Sequence, residues 1–333
     1  MTASASIRST VLVTGGAGYI GSHAVLALRD AGVAVTVADD LSTGRRDAVP
    51  SDVAFINVCV GDRDRMAAIF AERRIDAVMH FAGSIVVPES VEKPLAYYRN
   101  NTANSLALID AAVHSGVKRF IFSSTAAVYG MPEILPVNED APTRPINPYG
   151  ASKLMTETML RDAAAAHGLE YAVLRYFNVA GADPQGRSGQ CGRTATHLIK
   201  IACQAATGQR DEIAVYGDDY PTPDGTCVRD YIHVSDLAAA HVAALQALEA
   251  GESGMTLNCG YGRGYSVREV LAAVERAHGK PLNIRIAGRR AGDPPSLIAD
   301  AARIRRMLDW APRHADLDEI VASALAWERK ITV

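Results

Sequence analysis

The stretch that decides the fold runs from Thr14 to Gly21 and reads TGGAGYIG. It follows a short β-branched run, Thr10–Thr14, and precedes a helical pattern that continues through Leu28. Two glycine patterns fit it: GxGxxG on Gly16, Gly18 and Gly21, and GxxGxxG on Gly15, Gly18 and Gly21. Such a turn lets the backbone approach a pyrophosphate, and it offers the free N–H groups of a helix N-terminus to the anion. Because it joins a first strand to a helix, the stretch predicts a dinucleotide site in a Rossmann fold.

Apolar runs alternate with helical patterns on both sides of this turn. The strand candidates are Thr10–Thr14, Val33–Ala38, Ala54–Val58, Ala77–Phe81, Arg119–Ser123 and Tyr171–Leu174. Long helical patterns cover Pro94–His114 and Tyr149–His167. Strands that alternate with helices indicate βαβ units and a parallel sheet. The predicted fold class is α/β, a doubly wound parallel (Rossmann) sheet over 8–178. A smaller mixed α/β substrate lobe is predicted over 179–330, with segments able to return to the sheet.

Length and charge exclude several classes of protein. The 333 residues correspond to roughly two domains at about 150 residues each. Lys and Arg total 34 against 37 Asp and Glu, which gives a net charge of -3 and no basic excess for a nucleic acid. No apolar run reaches the length of about 18 residues that suggests a membrane span, and the start does not read as a signal peptide. The five cysteines form no CxxC pair, so we predict no metal site and a cytoplasmic protein. From the charge balance and the apolar runs we predict no nucleic-acid or membrane partner.

Asp39 ends the second predicted strand and indicates which dinucleotide binds. A carboxylate at this position accepts hydrogen bonds from the adenosine ribose and repels a 2′-phosphate, so NAD is expected rather than NADP. The alternative for Asp39 is a helix cap ahead of the sequence LSTG. Asp62 follows the third predicted strand and could face the adenine, and a solvated loop position is its alternative.

Tyr149 and Lys153, in the sequence YGASK, lie at i and i+4 on one face of a predicted helix. An ammonium there stabilises a phenolate and lowers the tyrosine pKa from about 10 towards neutrality. Such a tyrosine is a general base for a hydroxyl that is being oxidised. The alternative, an exposed Tyr–Lys pair, is disfavoured because Ser123, Ser124 and Thr125 end a strand, where α/β sheets carry their sites. Lys153 is also one of only six lysines, which makes a chance YxxxK less expected.

These residues resemble the extended short-chain dehydrogenase/reductase family, and the match covers nearly the whole chain. It rests on TGGAGYIGSH (14–23), HFAG (80–83), YYRNN (97–101), YGASK (149–153), LRYFN (174–178) and DYPTPDGTCVRDYIHV (219–234). The last segment lies in the second lobe, so the resemblance reaches the substrate half. It is strongest to the branch that interconverts UDP-glucose and UDP-galactose. It therefore implies reversible C4 oxidation and reduction with bound NAD, through a 4-keto sugar.

The resemblance also implies roles for individual residues. Tyr149 is the base, Lys153 is its activator and a ligand of the cofactor ribose, and Thr125 is the hydroxyl partner. The implied cofactor site comprises Gly15, Gly18, Tyr19, Ile20, Gly21, Asp39, Asp40, Asp62, Phe81, Ala82, Gly83, Asn100, Lys153 and Tyr176. Two positions depart from the family: Asp40, where Asn is common, and Ile85, where Lys is common. The second departure predicts a weaker hold on NAD.

The implied substrate is a UDP-sugar, whose diphosphate suits the forked guanidinium of arginine. The implied substrate site comprises Thr125, Tyr149, Asn178, Leu198, Ala214, Tyr216, Arg229, Arg290, Asp293 and Leu297. In it, Arg229 and Arg290 bind the diphosphate and Asp293 holds the uridine ribose, with surface salt bridges as the alternative for the arginines. The family often has Asn-Asn where Thr196 and His197 stand. Leu297 stands where some relatives carry a bulkier tyrosine, so we hypothesise room for an N-acetyl group.

Other functions stay open at this point. A 4-epimerase of another UDP-sugar (UDP-GlcNAc, a UDP-pentose or a UDP-uronate) would use the same residues. A nucleotide-sugar 4,6-dehydratase needs an acid/base pair after Thr125, where Ala126 and Ala127 stand. A non-catalytic NAD-binding regulator need not keep the Tyr–Lys pair. Helical patterns over 95–114 and 149–166 offer apolar outer faces, and such helices pair between copies in the family, so a homodimer is expected.

Overall fold

The computed structural model of the chain describes residues 7–191, 196–290, 293–308 and 310–332. The strands are β1 (Val11–Thr14), β2 (Val35–Asp39), β3 (Ala54–Asn57), β4 (Ala77–His80), β5 (Arg119–Thr125), β6 (Glu170–Tyr176), β7 (Asn178–Ala180), β8 (Ile213–Tyr216), β9 (Val228–His233), β10 (Met255–Cys259), β11 (Gly264–Ser266), β12 (Ile284–Ala287) and β13 (Ser296–Leu297). The α-helices are α1 (Tyr19–Asp30), α2 (Arg63–Arg73), α3 (Val87–Glu92), α4 (Pro94–Tyr97), α5 (Asn104–His114), α6 (Pro148–His167), α7 (Leu198–Ala206), α8 (Val234–Glu249), α9 (Val267–His278), α10 (Ala302–Leu308) and α11 (Leu317–Thr332). No helix within these ranges is both long and apolar enough to cross a membrane.

A seven-stranded sheet forms the larger lobe, in the order β10-β6-β5-β4-β1-β2-β3. All adjacent strands in this sheet are parallel. Strands β1 and β4 are buried along their whole length, as strands covered by helices on both faces must be. The predicted Rossmann fold class is confirmed. The strand order diverges at β1, so the carboxyl end of β1 is the switch point where such sheets bind ligands.

The second lobe is built on smaller sheets and a cluster of three helices. Strand β9 pairs with β7 and β13 in parallel and with β11 antiparallel, and β8 pairs with β12. Helices α7, α9 and α11 pack against one another around a shared apolar core. Strand β10 lies beyond residue 179 in the chain but pairs with β6 in the large sheet. The chain therefore re-enters the first lobe after building part of the second.

The stretch predicted as one helix over Pro94–His114 is helical throughout in the structure, with a π turn inside it. Helix α4 is followed by a π turn over Tyr98–Ala103, and α5 then begins at Asn104. A π turn inserts an extra residue into a helix and is frequent at functional sites. Here it holds Asn100 and Asn101, and it packs on α6.

Candidate active site

A cleft of about 1370 Å³ runs from the carboxyl end of β1 to the second lobe. From the expected cofactor site it is lined by Gly15, Gly18, Tyr19, Ile20, Gly21, Asp39, Asp40, Phe81, Ala82, Gly83, Asn100 and Tyr176. From the expected substrate site it is lined by Thr125, Tyr149, Asn178, Leu198, Ala214, Tyr216, Arg229, Arg290, Asp293 and Leu297. Sites for one small ligand measure about 300–1,000 Å³. The cleft therefore has room for a dinucleotide and a second ligand.

The glycine turn at one end of the cleft fits a pyrophosphate. Gly15 has a φ of +69°, and a Cβ on it would lie 2.5 Å from the amide nitrogen of Ala82. A Cβ on Gly21 would overlap the carbonyl oxygen of Gly15. Helix α1 starts directly after Gly18, and among the described residues no side chain caps its first turn. Its free N–H groups therefore remain available to an anion.

Asp39 is held rigidly at the end of β2. Its carboxylate accepts hydrogen bonds from the backbone N–H groups of Ala17 (2.9 Å) and Leu41 (2.8 Å). Burial raises its pKa. Because the carboxylate lines the cleft beside the glycine turn, it lies where the ribose of a dinucleotide is expected.

Asp62 lies at the start of helix α2, after the third strand. It is the N-cap of α2, and its carboxylate accepts a hydrogen bond from the backbone N–H of Arg65 at 3.0 Å. It lies outside the set of cleft-lining residues. An aspartate at a helix N-cap satisfies an otherwise unpaired N–H group, which explains why the helix start takes this side chain. Its contact with the cofactor stays a prediction.

Helix α6 carries the Tyr–Lys pair into the centre of the molecule. The Asn147 side chain caps the helix by accepting from the backbone N–H of Gly150 at 2.9 Å. Tyr149 lines the cleft, whereas Lys153 lies behind the wall that Gly83 forms, since a Cβ on Gly83 would come within 3.7 Å of Nζ. Lys153 Nζ donates to the carbonyl oxygen of Ser123 at 3.0 Å.

Thr125 ends β5 next to this pair. Its Oγ1 accepts a hydrogen bond from the backbone N–H of Ala127 at 3.1 Å, and the same hydroxyl is hydrogen-bonded to Tyr149. Thr125, Tyr149 and Lys153 are each less than a tenth exposed. The structure thus brings the three predicted catalytic residues together.

The pKa of Tyr149 differs in direction from the sequence-based expectation. Burial raises it, Tyr176 adds to the rise, and the Thr125 hydroxyl opposes it. Burial lowers the pKa of Lys153 to about 8, and Glu157 opposes that change. Burial disfavours the charged form of both groups. The Lys153 ammonium donates to the carbonyl oxygen of Ser123, and burial is the largest cause of the pKa shift of both groups.

The other end of the cleft carries the predicted arginines. Arg229, on β9, faces Asp293 with 3.6 Å between Nη2 and Oδ1, and its Nη1 donates to the carbonyl of Val228. The Arg290 guanidinium lies 3.7 Å from the centre of the Tyr216 ring. The cleft therefore offers two guanidinium groups to an anion and an aromatic face beside them.

Sequence reasoning missed the polar residues that support this site from behind. Glu157 forms a buried ion pair with Arg175 at 2.6 Å and accepts from Ser124 Oγ at 2.5 Å. Asn101 is 2% exposed and bonds to both the cleft wall and α6. Glu157 follows Lys153 by four residues, so helical spacing alone could have indicated it. The contacts of Asn101 depend on the π turn and carry no local signal.

Fold and site together define a class: an NAD-binding Rossmann enzyme with a Tyr-x-x-x-Lys pair at the end of a central strand. The profile of the NAD dependent epimerase/dehydratase family matches residues 11–260. A UDP-glucose 4-epimerase of Azospirillum brasilense is 60% identical over 331 residues, which cover 99% of this chain and 95% of that protein. The chain belongs to the NAD dependent epimerase/dehydratase family.

Solved structures agree with this assignment. The UDP-glucose 4-epimerase of Brucella ovis in complex with NAD is 45% identical, with a TM-score of 0.93. The match covers 96% of this chain and 98% of that chain. The UDP-glucose 4-epimerase of Bifidobacterium longum, in complex with NAD+ and UDP, is 41% identical with a TM-score of 0.92. The match covers 97% of this chain and 98% of that chain. The family resemblance and NAD as the cofactor are confirmed.

Proposed function

We propose that the chain interconverts UDP-glucose and UDP-galactose by reversible oxidation and reduction at C4. The observation that carries the proposal is the arrangement of one cleft. Thr125 and Tyr149 line it near the cofactor wall, and Arg229 and Arg290 line it in the second lobe. The sugar of one bound UDP-sugar would lie beside Thr125 and Tyr149. Its diphosphate would lie beside Arg229 and Arg290.

The residues divide the work between reaction and anchoring. Tyr149 takes the proton from the sugar 4-hydroxyl, with Thr125 hydrogen-bonded to the same oxygen. When bound, NAD accepts hydride from C4 and returns it. Lys153 holds positive charge behind the phenol, and its contact with the cofactor ribose stays a prediction. The 4-keto sugar turns within the cleft while Arg229 and Arg290 keep the diphosphate in place, so binding energy is concentrated away from the reacting carbon.

A 4,6-dehydratase is less well supported. That reaction removes water and needs an added acid and base next to Thr125. Ala126 and Ala127 follow it and form a short 3₁₀ turn with apolar side chains. Alanine cannot transfer a proton, so the site supports epimerisation.

The test is to incubate the purified protein with UDP-galactose without added NAD and to measure UDP-glucose. We expect conversion by the protein as purified, with NAD that it retains. A Tyr149→Phe variant removes the base and should lower kcat by about 10²–10⁴-fold. Its UDP affinity should be unchanged, because the uridine end is bound elsewhere. A near-normal rate in this variant would exclude Tyr149 as the base.

UDP-GlcNAc is a second candidate substrate because of Leu297. This residue lines the cleft on β13, opposite Arg229 in the strand register. A leucine is shorter than a tyrosine and leaves space for a larger C2 substituent. We expect turnover of UDP-GlcNAc beside UDP-glucose, and a Leu297→Tyr variant should lose the N-acetyl activity selectively. Undetectable N-acetyl turnover by the unmodified protein would contradict this proposal.

We further propose a homodimer that works in the cytoplasm. Val91, Leu95, Leu106 and Met155, on α3 to α6, are 63%, 76%, 53% and 45% exposed. Neighbouring exposed apolar side chains on adjoining helices favour an interface with a second copy. All five cysteines are free thiols, which fits a reducing compartment.

A further inference from the structure

A buried ion pair lies one helical turn beyond the lysine of the Tyr–Lys pair. Glu157 follows Lys153 by four residues on α6, so the two side chains share one face of the helix. The Arg175 guanidinium, on β6, donates to both carboxylate oxygens of Glu157, with 2.6 Å between Nη2 and Oε2. The side chains of Glu157 and Arg175 are 7% and 8% exposed. A charged pair is therefore enclosed next to the Lys153 ammonium.

Two neighbouring residues at the end of β5 connect this pair to the site. The Ser123 carbonyl accepts from Lys153 Nζ at 3.0 Å, and Ser124 Oγ donates to Glu157 Oε1 at 2.5 Å. Ser124 also lies directly opposite Arg175 in the register of β5 and β6. The next residue of β5 carries the hydroxyl that is proposed to bind the substrate. The ion pair is thus bonded to the same strand end as the reacting groups.

The Glu157 carboxylate binds the guanidinium, although a lysine lies one turn away on its own helix. Arg175 reaches it with three hydrogen bonds, whereas the Lys153 ammonium donates to a backbone carbonyl of β5. A buried ion pair adds little net stability, because the loss of hydration offsets the attraction between the charges. Stability therefore does not account for this pair, and its effect on the neighbouring lysine does.

The charge of Lys153 depends on a small set of groups. Among the described residues, the groups around it are Tyr149 and Glu157 on α6, His80 on β4, the Ser123 carbonyl and the Phe122 ring on β5, and Tyr176 and, through Glu157, Arg175 on β6. Burial lowers the pKa of Lys153 to about 8, and Glu157 opposes that change. His80 is neutral there, since burial, with Lys153 adding to the effect, lowers its pKa to about 3. Burial raises the pKa of both tyrosines, so they are neutral as well.

We propose that Glu157 and Arg175 are positioning residues that set the charge of Lys153 and keep its ammonium at the end of β5. Glu157 favours the charged ammonium. Arg175 binds the carboxylate, so Lys153 is not drawn from Ser123 into an ion pair with Glu157. The proposal rests on the proposed function, because it assumes that the ammonium acts behind the Tyr149 phenol.

The test compares Glu157→Gln and Arg175→Gln with the unmodified protein. Glu157→Gln removes the negative neighbour and leaves the guanidinium charge, so Lys153 should lose its proton about 1 pH unit lower. Arg175→Gln leaves the carboxylate to act on Lys153 alone, so the proton should be lost about 1 pH unit higher. The measurement is the pH at which kcat/KM falls. An unmoved fall in either variant, or shifts in the same direction in both, would overturn the proposal.

A second readout, NMR titration of the lysine side chains, needs no turnover. The chain has only six lysines, and Lys153→Met identifies the signal of Lys153. The midpoint of that signal should move in the same directions as the fall in kcat/KM, and a fixed midpoint would contradict the proposal. If the unmodified protein does not convert UDP-galactose, the proposed function is refuted, whereas the titration still tests the role of the ion pair.

The matched control is Glu328→Gln. Glu328 forms a buried ion pair with Lys200, whose side chains are 1% and 4% exposed, and joins α11 to α7 in the second lobe. Breaking either buried pair should lower Tm, but Glu328→Gln should leave the Lys153 titration unmoved. An equal shift in this control would reduce Glu157 and Arg175 to a structural role.

A double variant, Glu157→Gln with Arg175→Gln, covers the case in which a single variant does not fold. It removes both charges and buries no unpaired charge. Its Lys153 titration should lie within about half a pH unit of that of the unmodified protein, because the two charges act in opposite directions. A shift as large as that expected for a single variant would overturn the proposal.

Discussion

Lys153 is a charged group enclosed by the protein, and its protonation should limit activity at high pH. Burial lowers its pKa from 10.5 to about 8. The ammonium is therefore present below pH 8 and is lost above it, whereas the same side chain in an unfolded chain would stay charged. Because kcat/KM reports ionisations of the free enzyme, we expect the loss of the ammonium to appear as a fall in kcat/KM above this pH. The measurement is a pH profile of kcat/KM with UDP-galactose.

The control for this profile is Lys153→Met, which carries no titrating group. Its residual kcat/KM should be low and should lack the basic limb. A profile of the unmodified protein that stays flat to pH 10 would show that another group governs the limb.

For individual residues, the sequence predicts which side chains form the site better than it predicts their pKa values and contacts. The sequence alone predicts the spacing of Tyr149 and Lys153, the glycine turn and Asp39, because each depends on local geometry. The raised pKa of Tyr149 and the cap formed by Asp62 are not visible, because they depend on burial and on which backbone group stands opposite. The contact between Asn101 and Ser152 joins residues 51 positions apart and needs the folded chain.

The turn between β1 and α1 is the element that depends most on the absence of side chains. A Gly21→Ala substitution places a Cβ against the carbonyl oxygen of Gly15 within the main chain of the turn. Backbone cannot yield as a flexible side chain does, and overpacking costs about 1–3 kcal/mol. We expect a lower Tm and weaker NAD binding, measured by thermal unfolding and by calorimetric titration.

Gly288→Ala is the matched glycine control. A Cβ on Gly288 would meet no atom within 4 Å among the described residues. Its Tm and NAD affinity should stay close to normal. Unchanged NAD binding in Gly21→Ala would mean that the turn adapts and that its glycine spacing is not required.

The elements that the sequence predicts best are those with a repeated apolar pattern. Strands β1 to β6 lie within a few residues of their predicted bounds, and β1 and β4, at the centre of the sheet, are buried along their whole length. The helix predicted over 94–114 is present, but the π turn inside it, over Tyr98–Ala103, has no counterpart in the apolar pattern. The short strand β13 has no predicted counterpart, since its two residues are ordered by pairing with β9.

At the scale of the whole molecule, the chain crosses between lobes more than once. Strand β10 returns to the large sheet after β9 has carried Arg229 to the cleft. Neither lobe is therefore a simple continuous stretch, and the cleft is bounded by elements that alternate between the two. This interleaving fixes the cofactor end and the diphosphate end of the cleft relative to each other. The reaction requires that arrangement, since the sugar turns while both ends stay in place.

The assembly of two copies gives the last prediction. Leu95 and Leu106 are 76% and 53% exposed on α4 and α5, where we place the dimer interface. A Leu95→Glu, Leu106→Glu double variant introduces charge into that apolar surface and should yield monomers by size-exclusion chromatography with light scattering, against a dimer for the unmodified protein. Ile286→Glu is the control, because Ile286 is 45% exposed but lies on β12 of the second lobe. It should remain dimeric. A monomer mass for the unmodified protein, or a dimer in the double variant, would place the interface elsewhere or remove it.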